Sequence, residues 1–306
     1  MSGYIAVVGA VNIDIGGRSF APLTAGDSSP GRIRSALGGV GRNIAHNLAL
    51  LGAEVKLITA LGGDDAAARI RASCGALGID LQYAVTVPEC ATSSYLYLCG
   101  PDGDMEMAIN DMEIYDCLTP ERLRPLLPVL NAAAITVLDA NLPAATLDFV
   151  AQNCTAPLYA DPVSAVKAPR LAGALGRLHT LKPNRIEAAA LSGVPITDEK
   201  SLLRAADALL ATGLRRAVIT LGPDGVLAAE GDRRLLLPNP PPTRRVNASG
   251  CGDAFTAALC WASLRGEDTA SAVRCALAAA SLAMESAETV NPAMSAAQIK
   301  SRMECF

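Results

Sequence analysis

A chain of 306 residues with 51% hydrophobic and 18% charged side chains can bury a large core and is not a disordered polymer. Its net charge of −4 and 4% aromatic content offer neither a basic surface nor many stacking platforms, which argues against nucleic acid as a partner. Nine scattered cysteines without a C-x-x-C, and two histidines, His46 and His179, argue against a disulfide frame, a zinc site or a histidine base.

Met1-Ser2-Gly3-Tyr4 runs straight into a strand with no basic leader, and charges interrupt every alanine-rich run before it could span a bilayer. The expectation is a cytoplasmic protein with no membrane partner. Tyr4 to Ala10 reads as a buried first strand, with Asn12 and Asp14 at its carboxyl end, where open α/β sheets bind ligands. Residues 16 to 36 are poor helix material and suit a small β-structure outside the main sheet. Gly38-Gly39-Val40-Gly41-Arg42-Asn43 opens a helix with Ile44, Leu48 and Leu51 on one face, ended by Gly52. A strand over Val55–Ala60 and a helix over Asp64–Leu77 follow. Thr92–Cys99 and Met105–Ile109 flank the turn Gly100-Pro101-Asp102-Gly103 and read as a hairpin. With residues 16 to 36 this hairpin makes a β-lid, its strands within about 14–36 and 92–111.

From Pro120 onward strands and helices alternate. Strands are expected at Ala133–Leu138, Pro157–Ala160, His179–Leu181 and Ala217–Leu221. Helices are expected at Ala144–Asn153, Arg185–Leu191 and Ser201–Ala211. Such alternation implies a parallel sheet covered on both faces. Val226–Ala229 and Arg234–Leu237 form a late hairpin, and Pro238 to Pro242 a stiff connector. The whole chain, 1–306, reads as one domain.

The connector leads into Asn247-Ala248-Ser249-Gly250-Cys251-Gly252-Asp253 and then a breaker-free run to Arg265, with Phe255, Ala258, Leu259 and Ala262 at helical spacing. Two glycines opening a long helix offer unpaired N–H groups to a phosphate or a developing oxyanion, with no Cβ in the way. Asp253 in the first turn is either a base or an acid that merely complements the helix dipole. Upstream, Asn184 and Glu187 sit three apart after a strand; they suit a capping box or a polar pair that orders water around Mg²⁺. Thr220-Leu221-Gly222-Pro223-Asp224-Gly225 is a Pro-Asp-Gly turn that could also line a nucleotide phosphate. Asn12, Asp14 and Asn43 are suited to vicinal hydroxyls. The chain thus offers a polyol-binding set at one end and a phosphate-binding set at the other.

Four motifs in this order, Gly38-Gly39-Val40-Gly41-Arg42-Asn43-Ile44-Ala45, Lys182-Pro183-Asn184 with Glu187, Thr220-Leu221-Gly222 and Gly250-Cys251-Gly252-Asp253, resemble the ribokinase-like (PfkB) sugar and nucleoside kinases. The resemblance covers nearly the whole chain. Within the family it is strongest to members acting on pseudouridine. That likeness rests on Ser28-Ser29-Pro30-Gly31, the helix Gly41 to Gly52, Thr92-Ser93-Ser94-Tyr95-Leu96, Ala108-Ile109-Asn110-Asp111-Met112, Asp161-Pro162-Val163-Ser164 and His179 to Arg185.

The resemblance implies a Rossmann-type core with a mostly parallel sheet, a small β-sheet lid, and transfer of phosphate from ATP to the pseudouridine 5′-hydroxyl. Asp253 would be the base, and the amides of Gly250, Cys251 and Gly252 the anion hole. Asn184 and Glu187 would organise Mg²⁺ through water. Thr220, Gly222 and Gly225 would line the nucleotide, with Asn291 near the adenine. Asp14, Gly39 and Asn43 would bind the ribose, and Asn12, Ser94, Asn110 and Asp111 would read the base. Two positions depart from the wider family. Cys251 stands where alanine is commoner, which marks a thiol beside ATP. Asn247 stands where many relatives carry aspartate near a monovalent-cation site, which leaves K⁺ open.

Three other readings compete. One is a kinase for another ribonucleoside or for ribose; another is a ligand-binding regulator on the same fold, against which the intact Asp253 and glycines argue. The third, a nicotinamide dehydrogenase, lacks its Gly-x-Gly-x-x-Gly in Val7-Val8-Gly9-Ala10-Val11-Asn12. The exposed lid edge calls for a partner, and a homodimer through the lid is expected.

Overall fold

Ile5 to Val8 is buried at all four positions, and its side chains alternate between two apolar layers. Ile5 and Val7 join one core cluster while Ala6 and Val8 join the other. That is the signature of a central strand covered on both faces. The computed structural model describes residues 3–241 and 244–305, so Met1-Ser2 of the expected run-in and Pro242 of the expected connector lie outside the described residues.

Around this strand lies an eight-stranded sheet. Its order is Val55–Ile58, Ile5–Val8, Ile135–Asp139, Leu158–Asp161, Thr180–Leu181, Arg216–Thr220, Val226–Glu230 and Arg233–Leu237. The strands run parallel up to Arg216–Thr220, and the last two close the edge as an antiparallel hairpin. One face is covered by the helices Val40–Leu50, Asp65–Ala76, Cys251–Leu264 and Thr269–Ala283. The other carries Ala144–Asn153, Arg185–Ser192 and Glu199–Ala211. The α/β class expected from the alternation therefore holds.

The helix Cys251–Leu264 is buried on nearly every side, from Ala254 through Cys260, and not along one stripe. Its neighbour Thr269–Ala283 is likewise alanine-rich and buried, so small side chains let the two pack closely. Such a helix is held by its surroundings, which fixes the position of its amino end.

A second sheet of four strands, Gly31–Gly38, Asn12–Ser19, Ser94–Cys99 and Met105–Asp111, projects from the edge of the first. Asn12 and Asp14 therefore lie on the first strand of this lid as well as just beyond the strand Ile5–Val8. Cross-strand register aligns Ile33, Gly17, Leu98 and Met107 in one row and Ser35, Ile15, Leu96 and Ile109 in the next. Ile15 at the root packs on the core. Farther out, Ile33, Met107 and Ile109 are 79%, 62% and 64% exposed. Beneath the root, the buried Tyr115 hydroxyl donates to the Val11 carbonyl and accepts from the Val11 N–H at 2.6 Å. It ties the segment Glu113–Cys117 to the crossing from sheet to lid.

Candidate active site

No side chain caps the helix Cys251–Leu264. Elsewhere Asp64, Asn184, Asp198, Asp268 and Ser295 each accept from first-turn N–H groups. Here the cap residue is Gly250, at φ 79°, and a Cβ there would collide with the Thr289 carbonyl. A Cβ on Gly252 would stand 3.2 Å from Lys182 Nζ. The result is an open, positively polarised helix end with an ammonium beside its loop, suited to an anion.

Asp253 sits in this first turn, half-buried. Asn43, from the helix Val40–Leu50 and 210 residues away in sequence, donates its Nδ2 to Asp253 Oδ2 at 2.8 Å. Burial pushes the Asp253 carboxyl up to about 7, and the charges of Asp161 and Asp139 add to the push. Asn43 and Lys182 oppose it. Behind the loop, Lys182 Nζ lies 3.0 Å from Asp161 Oδ2, which also accepts from Thr256 Oγ1 at 2.9 Å. Burial alone would lower the Lys182 ammonium, but Asp161, Glu187 and Asp253 outweigh it and hold the group charged. Asp139 and Asp161 end the neighbouring parallel strands Ile135–Asp139 and Leu158–Asp161. Asp161, Thr256 and Lys182 pack behind the candidate site, and sequence reasoning did not single them out by role. The available signal was an acid terminating each of two apolar runs.

At the lid end, Gly39 has φ 94°, and a Cβ there would lie 2.5 Å from the Ala10 carbonyl oxygen and 2.6 Å from Val11 Cα. Only glycine allows the two segments to touch. Asp14 accepts from Asn12 Nδ2. Burial raises Asp14 to about 6, against the pull of the Asn12 hydrogen bond and the Arg42 charge. Across the lid, Asp14 stands opposite Tyr95, and Tyr95 opposite Asn110; Ile13, Ser94 and Asp111 form the adjacent row. Strand alternation therefore puts Asn110 on the face of Asp14 and sends Ser94 and Asp111 to the other face.

At the opposite end, Asn184 and Glu187 form a full capping box. Asn184 Oδ1 accepts from the N–H groups of Ile186 and Glu187, each at 2.9 Å. The Glu187 carboxylate accepts from Asn184 N and Nδ2, each at 2.8 Å. Thr220 lies alongside, its N–H donating to the Pro183 carbonyl at 2.9 Å. Gly222 and Gly225 turn the chain with φ 61° and 94°. Beside them opens a cleft of about 380 Å³ lined by Pro223, Asn239, Arg245, Leu277, Ser281 and Met284. Asn239 binds it to the turn by donating to the Gly222 carbonyl at 2.8 Å.

Asn291 does not line this cleft. Its side chain donates to the Leu282 carbonyl at 2.7 Å and accepts from Ala293 N at 2.9 Å, so it closes the helix Thr269–Ala283 that supplies the cleft wall. Asn247 Oδ1 accepts from Ser249 N at 3.0 Å. Burial, with the nearby Asp253 charge, pushes the Cys251 thiol up to about 11. Little thiolate therefore exists near neutral pH, which makes this thiol a weak nucleophile.

The sequence profile of the pfkB family of carbohydrate kinases matches residues 2–296. The chain is similar to the pseudouridine kinase of Escherichia coli K12, at 36% identity over 98% of this chain and 96% of that one. Among solved structures it resembles a carbohydrate kinase from Agrobacterium tumefaciens, with TM-score 0.87 and 30% identity over 100% of this chain and 98% of that one. It also shares the fold of an Arabidopsis thaliana ribokinase complexed with ribose and ATP, with TM-score 0.88 and 23% identity over 99% of this chain.

A carboxyl raised by folding costs stability once ionised. The cost starts above its unfolded value near 4 and is complete above about 7. Asp253→Asn is therefore expected to raise Tm at pH 8 by roughly 3 °C or more, and to leave it nearly unchanged at pH 4. Thermal melts at the two pH values check this, and an equal shift at both contradicts it.

Proposed function

We propose that this chain, which belongs to the pfkB family of carbohydrate kinases and is a phosphotransferase acting on an alcohol group, transfers the γ-phosphoryl group of ATP to the 5′-hydroxyl of pseudouridine. The reaction is carried by one observation: a carboxylate raised to about 7 stands in the first turn of an uncapped helix, held by Asn43. The choice of pseudouridine rests on the similarity to the Escherichia coli kinase.

Asp253 takes the proton of the 5′-hydroxyl as it attacks, and a pKa near the working pH suits a general base. The amides of Gly250, Cys251 and Gly252, with Lys182 beside them, meet the charge spread over the transferring group. Asp14, Gly39 and Asn43 hold the ribose, while Asn12 and Asn110, on the Asp14 face of the lid, meet the base; Ser94 and Asp111, expected to join them, are turned to the opposite face by the strand register. Thr220, Gly222 and Gly225 follow the phosphates of ATP, whose adenosine enters the 380 Å³ cleft. Asn291 acts there by fixing the helix end that forms the wall.

Among the described residues, no group of three or more His, Cys, Asp or Glu side chains converges as a metal cage. The Asn184 amide and Glu187 carboxylate at the helix start suit Mg²⁺, which keeps most of its water and takes few protein ligands. When bound, the ion neutralises phosphate charge, and Glu187 with Asn184 would orient its waters. Asn247 offers K⁺ only an amide oxygen already engaged by Ser249.

The exposed apolar rows on the lid support a homodimer through that face. Ile109→Glu is expected to turn a dimer into a monomer in sizing and scattering experiments, and a wild-type monomer contradicts the pairing. The substrate test sets pseudouridine, uridine, adenosine, cytidine and ribose side by side with ATP. Turnover of pseudouridine well above the others, reduced roughly 10²- to 10⁴-fold in Asp253→Asn, is the expected outcome. Equal turnover of all five retains the kinase and discards pseudouridine as its substrate.

A further inference from the structure

The loops that follow the strands Ile135–Asp139 and Leu158–Asp161 leave the same edge of the sheet and are locked to each other. Arg170 Nη1 donates to the carbonyls of Ala140 at 3.3 Å and Asn141 at 3.0 Å. Lys167 Nζ donates to Asn141 Oδ1 at 2.5 Å. Asn141 is itself buried, and its N–H donates to Asp139 at 2.9 Å.

The second loop reaches this position through a strained turn. Val163 has φ 67°, a left-handed conformation that is rare for a β-branched residue, and Ser164 N donates across it to the Pro162 carbonyl at 2.7 Å. Such a conformation is strained and persists at functional sites when its surroundings hold it. Here they do. Asp161 Oδ1 accepts from Val163 N at 2.9 Å, and the Ser164 carbonyl accepts from Lys167 N at 3.1 Å and Ala168 N at 2.8 Å. The turn brings Lys167 back over the sheet edge.

The Lys167 ammonium is half-buried and makes no ion pair among the described residues. Its contacts are the Asn141 amide oxygen and the Met112 sulfur at 3.3 Å. Both are neutral, and an ammonium has three donors. A withdrawn cation with neutral partners and a donor to spare is poorly placed to support folding and well placed to meet an acceptor on an uncharged ligand.

Its position matches. Met112 directly follows the lid strand Met105–Asp111, so Lys167 stands at the seam between lid root and sheet. Asp139, next to Asn141, also accepts from Ala10 N at 2.7 Å, at the head of the segment that leads to Asn12 and Asp14. A nucleoside with its 5′-hydroxyl at Asp253 and its ribose at Asp14 projects its base away from Asp253.

Building on the kinase reading above, we propose that Lys167, positioned by Asn141 and the Val163 turn, donates to a ring carbonyl of the nucleobase. It selects uracil-type diones over bases that present an amino group there. Titration calorimetry with pseudouridine and, separately, with ATP tests the assignment on the full chain. Lys167→Met weakens pseudouridine roughly 10- to 100-fold, the worth of a hydrogen bond to a charged group, and leaves ATP within about threefold. Lys167→Arg, which keeps charge and donors, recovers most of the loss and serves as the measured variant beside Lys167→Gln if the methionine variant does not fold. Turnover of cytidine relative to pseudouridine rises in the methionine variant. Unchanged pseudouridine binding in Lys167→Met, or an equal loss for ATP, overturns the role of Lys167 and leaves the kinase standing. Wild-type protein that neither binds nor phosphorylates any nucleoside overturns the kinase reading itself.

Discussion

A carboxylate at the open end of a buried helix is under two opposed forces, and the balance between them governs this molecule. Burial and the nearby charges of Asp161 and Asp139 favour the protonated form of Asp253, while Asn43 and Lys182 favour the ionised one. Neither side wins outright, which leaves the group near 7. The surrounding structure preserves this compromise. Glycines keep the loop free of Cβ atoms, the Asp161–Lys182–Thr256 cluster holds it from behind, and the alanine-rich pairing with Thr269–Ala283 fixes the helix itself. Lys182 is the member with two duties: it is the counter-charge of Asp161 and the cation beside the Gly250–Gly252 loop, and removing it would leave a buried carboxylate without a counter-charge.

The topology explains how distant residues reach this point. Parallel strands deliver their carboxyl ends to one edge, so Asp139, Asp161 and the Lys182 loop arrive together although they come from separate parts of the chain. At the far side of the sheet, the turn through Gly222 and Gly225 leads from Arg216–Thr220 into the antiparallel edge strands and stands beside the Asn184–Glu187 helix start. The lid rises from the other edge and carries Asp14. The helix Val40–Leu50 joins the two sites, because Gly39 at its start touches the sheet crossing and Asn43 in its first turn touches Asp253.

Much of this was legible in the sequence, for reasons that differ by residue. Glycine pairs before helices announce backbone geometry that other residues avoid, so Gly39, Gly250 and Gly252 could be read directly. The strand–helix alternation gave the sheet, because buried parallel strands are continuous apolar runs. Less legible was the stretch 113–132, where Pro120, Pro125 and Pro128 divide the chain into short helical turns that have no clear period. Asn110 and Asp111 are neighbours in sequence yet face opposite ways, since register and not proximity decides the face. Asn291 proved to be occupied by a helix end. Asp161 resembles any acid that ends a strand, and the positive φ of Val163 leaves no trace in residue type.

The most direct test of the central claim is the pH dependence of kcat/KM for pseudouridine with saturating ATP. If Asp253 is the base, kcat/KM climbs by about a factor of ten per pH unit below an apparent pKa near 7 and levels off above it. A profile flat from pH 5.5 to 8.5, or the same rise retained in Asp253→Asn, would contradict the account.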